Sequence, residues 1–288
     1  MRNIDEHNIT DAVIARLGDG RDARLTEVMT ALIRHLHGFV REVRLTEREW
    51  EQAIGFLTAT GQQCDARRQE FILLSDVLGV SMLTVTMNQS RPEGATEATV
   101  FGPFHVDDAP HCASGADIAQ GAPGTPLDVH LEVVDLQGRP VVGAEVDTWQ
   151  ADEEGLYDVQ RPELGDTRRA RGVFLTDAKG QVRFSSVLPM PYPVPTDGPV
   201  GQLLLATGRH PWRPAHIHFR IRAPGFAPLI THLFHEGDAY LDSDVVFGVR
   251  SSLVAEFERV GHGDAARHRL RHRFVLAPAQ APGSDLPA

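Results

Sequence analysis

The chain has 288 residues, 42% hydrophobic and 23% charged, with a formal net charge of −11 from 28 basic and 39 acidic side chains. That length and apolar content suffice for about two packed domains, and the acidic balance argues against nucleic acid or an anionic membrane as partner. Two cysteines, Cys64 and Cys112, are too few for a disulfide framework, an iron–sulfur cluster or a cysteine-rich zinc site, and no apolar run is long enough to span a bilayer.

The chain opens on Met-Arg-Asn-Ile-Asp-Glu-His, with no apolar segment like a secretion signal, so a cytoplasmic location is expected. Residues 1–23 are polar, carry Gly18 and Gly20, and read as a short helix and a loop. From Arg24 to Val40, the apolar residues Leu25, Val28, Met29, Leu32, Ile33, Leu36, Phe39 and Val40 recur at helical spacing. His35 and His37 fall outside that stripe and read as solvated surface. Thr46 and Glu49 form a capping-box pattern ahead of a second helix, which Trp50, Ala53, Ile54 and Leu57 carry to about Thr60. A third helix is predicted from roughly Asp65 to Met87. Residues 1–95 are therefore expected to be helical. A three-helix segment this short buries little alone and should pack on the rest of the chain or on a second copy.

Arg91-Pro-Glu-Gly-Ala marks a boundary, after which the pattern changes. Strand-like runs follow at Leu127–Val134, Ala144–Gln150, Gly172–Thr176, Gln181–Val187, His216–Arg222 and Ile230–His235. Asp135-Leu-Gln-Gly and Asp177-Ala-Lys-Gly read as hairpin turns between them. Many short strands with regular turns predict a β-sandwich over residues 96–276, giving an α+β protein. Gly248–Val260 reads as one short helix or a loop, and residues 277–288, rich in proline and alanine, as a disordered tail.

Within the run Arg213-Pro-Ala-His-Ile-His-Phe, strand alternation puts His216, His218 and Arg220 on one face and Ala215, Ile217, Phe219 and Ile221 on the other. The second set is wholly apolar and predicts a core face. Two neutral imidazoles two residues apart on a strand can converge on one metal ion, though a solvated polar face is the commoner meaning of an isolated His-x-His. Tyrosine is scarce, at 3 residues. Tyr157 lies in Asp152-Glu-Glu-Gly-Leu-Tyr, and Tyr192 lies between prolines on a loop expected to be held by shape rather than by a strand ladder. Tyr240 reads as a half-buried ring. A phenol becomes an anionic ligand only beside a strong Lewis acid. Two phenolates and a hydroxide would neutralise a ferric ion, whereas zinc more often takes histidine and carboxylate ligands.

The stretches ending at Tyr157, around Tyr192 and over Arg213–Phe219 resemble those of the intradiol ring-cleavage dioxygenases, and the likeness spans nearly the whole chain. It implies non-haem Fe(III), one per chain, held by Tyr157, Tyr192, His216 and His218, with an aromatic diol or triol and O2 as reactants. It further implies that Tyr192 takes a proton from the entering diol and that Arg213 stands over the ring to stabilise its developing charge. By the same likeness the helical part makes a homodimer with a phospholipid at the contact.

Leu73-Leu-Ser-Asp-Val-Leu-Gly, the Tyr192 segment and Gly237-Asp-Ala-Tyr-Leu-Asp-Ser-Asp-Val-Val-Phe-Gly-Val resemble the hydroxyquinol-cleaving branch, which yields maleylacetate. Asp76 then meets the third hydroxyl, a contact that discriminates more sharply than an apolar slot. Leu73, Val77, Phe101, Phe104, Val194 and Val245 complete the implied pocket. His232 stands where catechol-cleaving relatives carry glutamine, so its place behind the iron is either polar support or structural. Three rivals remain: a catechol or chlorocatechol dioxygenase, a non-catalytic transthyretin-like sandwich, and a zinc hydrolase built on His216, His218 and a carboxylate.

Overall fold

The computed structural model describes residues 2–18, 22–65, 68–261 and 266–279. The chain divides into two compact units, residues 1–59 and residues from 60 onward. The first contains α1 (Ile9–Ile14), α2 (Ala23–Val43) and the greater part of α3 (Glu47–Gln62). Asp22 caps α2 by accepting the Leu25 N–H at 3.0 Å. The expected capping box opens α3: Thr46 N–H donates to Glu49 Oε2 at 2.9 Å, and Glu49 N–H to Thr46 Oγ1 at 3.3 Å. Of the α2 stripe only Ile33 is buried.

The predicted third helix is two helices, α4 (Glu70–Val77) and α5 (Val80–Asn88), each shorter than expected. Gly79 between them sits at φ 74°, a left-handed conformation that ends α4 and that glycine adopts without strain. Both belong to the second unit although their helical pattern groups them in sequence with the first. Glu70, fully buried, accepts the Val200 N–H at the start of α6 (Pro199–Ala206), and Arg209 bonds the Val77 and Val245 carbonyls. These polar clamps tie α4 to the start of α6 and to the loops carrying Arg209 and Val245.

The strands are β1 (Pro126–Asp135), β2 (Glu145–Gln150), β3 (Arg171–Leu175), β4 (Gln181–Val187), β5 (Tyr192–Pro193), β6 (Trp212–Arg213), β7 (His216–Arg222), β8 (Leu229–His235), β9 (Val254–Ala255), β10 (Phe257–Val260) and β11 (Arg267–Leu276). Among the described residues they form a four-stranded sheet β10-β11-β1-β4, a five-stranded sheet β3-β2-β7-β8-β9 and the ribbon β5-β6. Pairing is antiparallel except β1 with β11 and β8 with β9. The two sheets share one core, with Leu127, Val129, Leu131 and Val133 of β1 on one side and Ile217, Phe219 and Ile221 of β7 on the other. The predicted α+β class and sandwich are therefore present.

Several expectations need correction. The turns at Asp135 and Asp177 are tight, with Gly138 and Gly180 donating back to Asp135 and Asp177 at 2.9 Å, but each carries the chain from one sheet to the other. Gly248–Val260 contains a single 3₁₀ turn (Ser251–Leu253) followed by β9 and β10. Residues 277–279 are ordered: Ala277 is buried and accepts the Ala227 N–H, and Ala279 donates to Gly225. The rest of the expected tail, 280–288, lies outside the described residues. No single helix among the described residues is long and apolar enough to cross a membrane.

Candidate metal centre

Strand β7 buries its odd-numbered residues in the core and turns His216 and His218, each 1% exposed, to the opposite face. There the register places His218 between Trp149 of β2 and His232 of β8, and sets His216 opposite Phe234. The Trp149 ring stacks on His218 at 4.8 Å between centroids and 12° between planes. Above His218 runs the segment Phe101–His105. Gly102 has φ 76°, and a Cβ there would lie 2.9 Å from His218 Cε1, so only glycine lets the backbone approach the ring this closely.

Tyr157 follows β2 through a loop pinned by Asp152, whose Oδ1 accepts the N–H groups of Glu154 and Leu156 and whose Oδ2 pairs with Arg161. Phe104 stacks on the Tyr157 ring at 4.4 Å. Tyr192 does not sit on an unladdered loop as expected. It pairs with Arg213 in the β5-β6 ribbon, a two-residue edge where proline is tolerated. Gly155, at φ 74°, brings the Tyr157 loop against it; a Cβ at 155 would meet Tyr192 Cβ at 2.9 Å.

These four side chains meet. Tyr157 Oη lies 2.9 Å from His218 Nε2 and 3.3 Å from Tyr192 Oη, and His216 Nε2 lies 3.1 Å from His218 Nε2. His216 Nδ1 is 2.7 Å from the Pro214 carbonyl, an acceptor, so its proton sits there and Nε2 presents a lone pair to the cluster. Burial holds His216 and His218 well below the usual histidine pKa, and neighbouring Arg213 lowers both further. Burial likewise pushes the Tyr157 phenol well above its usual value, aided by Tyr192. Neutral imidazoles and buried phenols facing one another at these separations fit a highly charged cation, which alone would stabilise the phenolates. His232 brings a third buried imidazole, within 4.8 Å of the other two, with Arg213 at 3.5 Å and the Val100 backbone as polar contacts.

Arg213 is 3% exposed, with Nη1 at 3.2 Å from His216 Nε2 and 3.4 Å from Tyr192 Oη. Burial disfavours its charge, but Asp244, at 3.1 Å from Nε, together with the oxygens of Tyr192 and Tyr157 outweighs that and keeps the guanidinium ionised. Sequence reasoning gave Asp244 no role, although it lies inside a quoted stretch. Trp149 was passed over too, because its stacking depends on cross-strand register. Arg171, buried and paired with Asp158 beneath Tyr157, was also missed.

Of the pocket candidates, Leu73 and Phe104 line a cleft of about 220 Å³ together with Pro103, Val159, Gln160 and Pro195. Phe101 packs edge-on against Trp149. Val77, Val194 and Val245 are buried and stand outside that cleft's lining. Asp76 is buried rather than on a helix surface. Burial raises its pKa, against a Ser81 hydrogen bond and the nearby charge of Arg213.

Comparison with known proteins gives a consistent result. Residues 22–96 match a family model described as catechol dioxygenase N terminus, and residues 100–278 one described as dioxygenase. The chain is 59% identical to the 6-chlorohydroxyquinol 1,2-dioxygenase of Cupriavidus pinatubonensis, over 96% of this chain and 99% of that one. It is 50% identical to the hydroxyquinol 1,2-dioxygenase of Nocardioides simplex, over 95% and 96%. The crystal structure of hydroxyquinol 1,2-dioxygenase from Pseudomonas putida DLL-E4 superposes with a TM-score of 0.87 at 45% identity, covering 95% of this chain and 99% of that one.

Proposed function

The chain belongs to the intradiol ring-cleavage dioxygenase family, and from that premise we propose that it opens hydroxyquinol (benzene-1,2,4-triol) with O2 between its adjacent hydroxylated carbons, giving maleylacetate. One observation carries the chemistry: two phenol oxygens and two imidazole nitrogens converge in a buried cluster beside a charged guanidinium. Tyr157, Tyr192, His216 and His218 would hold one ferric ion per chain. Bound there, ferric iron supplies the Lewis acidity that draws electron density from the two ring oxygens and opens ring carbon to O2.

The protein's own groups do the rest. Tyr192 Oη takes one proton of the entering diol. Arg213 Nη1, 3.4 Å from that oxygen, stabilises negative charge as it builds on the ring, an effect of several kcal/mol at about this range in a dry site. Phe101 and Phe104 exclude water from above. Asp76 receives the third hydroxyl of the triol, with Leu73, Val77, Val194 and Val245 shaping the apolar wall. His232 supports the site from behind, through Arg213 and its stacking on His216 at 4.7 Å.

The proposal extends to assembly. Residues 1–95 contain the dimerisation helices and 96–276 the catalytic sandwich, a division supported by where the two family models meet, with α4 and α5 of the first stretch packing in the same compact unit as the sandwich. The protein is a cytoplasmic homodimer through its N-terminal helices, with a phospholipid at the contact. Support for the dimer comes from α2, which leaves Leu25, Val28, Leu32, Leu36 and Phe39 exposed. A second substrate has specific support: the 59% identical relative is named for 6-chlorohydroxyquinol, so a chlorinated triol is included.

Steady-state rates on hydroxyquinol and catechol test the substrate. A site that bonds the third hydroxyl should favour the triol in kcat/KM by about a hundredfold or more. Catechol turned over faster than hydroxyquinol would reject it.

A further inference from the structure

His216 and His218 are held in different ways. His216 Nδ1–H donates to the Pro214 carbonyl at 2.7 Å, the kind of hydrogen bond that orients a ligand imidazole in most metal sites. His218 Nδ1 is buried and has no hydrogen-bond partner among the described residues. Contact alone fixes its ring: His232 edge-on at 4.1 Å, the Gly102 backbone against Cε1, and Trp149 flat against one face at 4.8 Å. Trp149 carries no polar anchor either, since its indole Nε1 is buried and has no hydrogen-bond partner among the described residues.

His105 supplies the anchor one ring further out. Its ring meets Trp149 edge-on at 4.8 Å and 72°, and touches Phe101 at 4.7 Å. Its Nε2–H donates to Asp147 Oδ2 at 2.8 Å, and the same oxygen accepts Arg220 Nη2 at 2.9 Å. The side chains of His105 and Asp147 are only 6% and 2% exposed, so water competes little for this bond. Strand register explains the alignment: β2 sets Asp147 opposite Arg220 and Trp149 opposite His218, and residues two apart share a face. A charge-assisted hydrogen bond in a dry site is short and directional. It fixes the His105 ring, which in turn leaves the Trp149 ring one position against His218.

We propose that His105, held by Asp147 and Arg220, is a positioning residue for the metal centre: through Trp149 it sets the angle at which His218 Nε2 faces the cation. The inference rests on the ferric site proposed above and on none of its substrate assignments. Two measurements on the full-length protein test it: the visible tyrosinate-to-iron band of the iron-loaded form, and iron affinity by competition with a chelator. His105→Leu removes the hydrogen bond, while the Arg171 bond to the Phe104 carbonyl at 3.1 Å still holds the segment in place. This variant should displace the band and weaken iron binding by about tenfold or more, the usual cost of losing a group behind a metal ligand. His105→Gln, whose amide can still donate to Asp147, should recover most of both. A folded His105→Leu that keeps the parent band, or loses less than about tenfold in affinity, overturns the proposal. A His105→Gln no better than His105→Leu overturns it too, because shape rather than the hydrogen bond would then be at work. If His105→Leu does not fold, Trp149→Phe decides: it leaves His105 and Asp147 paired, offers His218 a smaller ring and should displace the band, and an unmoved band overturns the proposal. An iron-loaded parent with no visible band would reject the ferric site and this inference with it, whereas unmoved variants reject this inference alone.

Discussion

Arg213 stays charged at 3% exposure because Asp244 accepts from both its Nε, at 3.1 Å, and its Nη2, at 3.4 Å. Asp244 also accepts the N–H groups of Val246 and Gly248 at 3.3 and 2.9 Å, so one carboxylate fixes both the guanidinium and the loop beside it. Removing one member of a buried pair leaves the other uncompensated, which costs about 3–5 kcal/mol. Asp244→Ala should lower the unfolding free energy by about that much in a denaturant titration. Asp244→Asn keeps an acceptor for the loop, so it should destabilise less while still lowering kcat, because Arg213 loses its anchor. The tyrosines give a separate test in the iron-loaded protein: Tyr157→Phe and Tyr192→Phe should each bleach or shift the visible tyrosinate-to-iron absorption. An unchanged spectrum in either variant removes that residue from the ligand set. Much of this cluster was legible from alternation, since Ile217 and Phe219 in the core force His216 and His218 to the other face. Asp244 was not legible, because nothing in local spacing links it to a guanidinium 31 residues earlier.

Elements were legible where one face is plainly apolar. β4 and β7 occupy the predicted residues Gln181–Val187 and His216–Arg222. β11 escaped because arginines fill its outer face and histidines interrupt its inner one, hiding the alternation of Leu270, Phe274 and Leu276. Helix α6 escaped because its start is held by a distant carboxylate, Glu70, rather than by a local cap. β11 also carries a pH-sensitive residue away from the metal centre. Burial lowers the pKa of His272 from 6.5 to about 4. Between those values the unfolded chain binds a proton that the native strand refuses. Stability is therefore full above about pH 6.5 and is lost as pH falls toward 4, by roughly 3 kcal/mol at most. His272→Leu should remove that term and flatten the fall. Urea unfolding at about pH 7.5 and 4.5 measures it; an identical drop in parent and variant would show that His272 does not titrate as its burial implies.

At the scale of the whole molecule, the apolar stripe of α2 stands out. Leu25, Val28, Leu32, Leu36, Phe39 and Val43 follow one another at three- and four-residue steps, and each is 44–56% exposed. Exposed single apolar residues are ordinary, but a continuous row along a 21-residue helix is the mark of a surface that another surface covers. Helix α3 adds Trp50, Ile54 and Leu57. The second unit has its own two-sheet core and carries all four candidate ligands, so losing the dimer contact should not dismantle the metal centre. Light scattering of the intact chain should give twice the mass of one protomer. Leu36→Asp and Phe39→Asp place a charge in the middle of the stripe, where desolvating it would cost several kcal/mol on about the scale of other buried charges. Each should shift the particle toward monomer while leaving the visible absorption of the iron-loaded protein unchanged. A monomer mass for the unaltered chain would refute the dimer. A variant that lost both the dimer and the colour would mean that the metal centre needs the second copy, contrary to the independence of the two-sheet core.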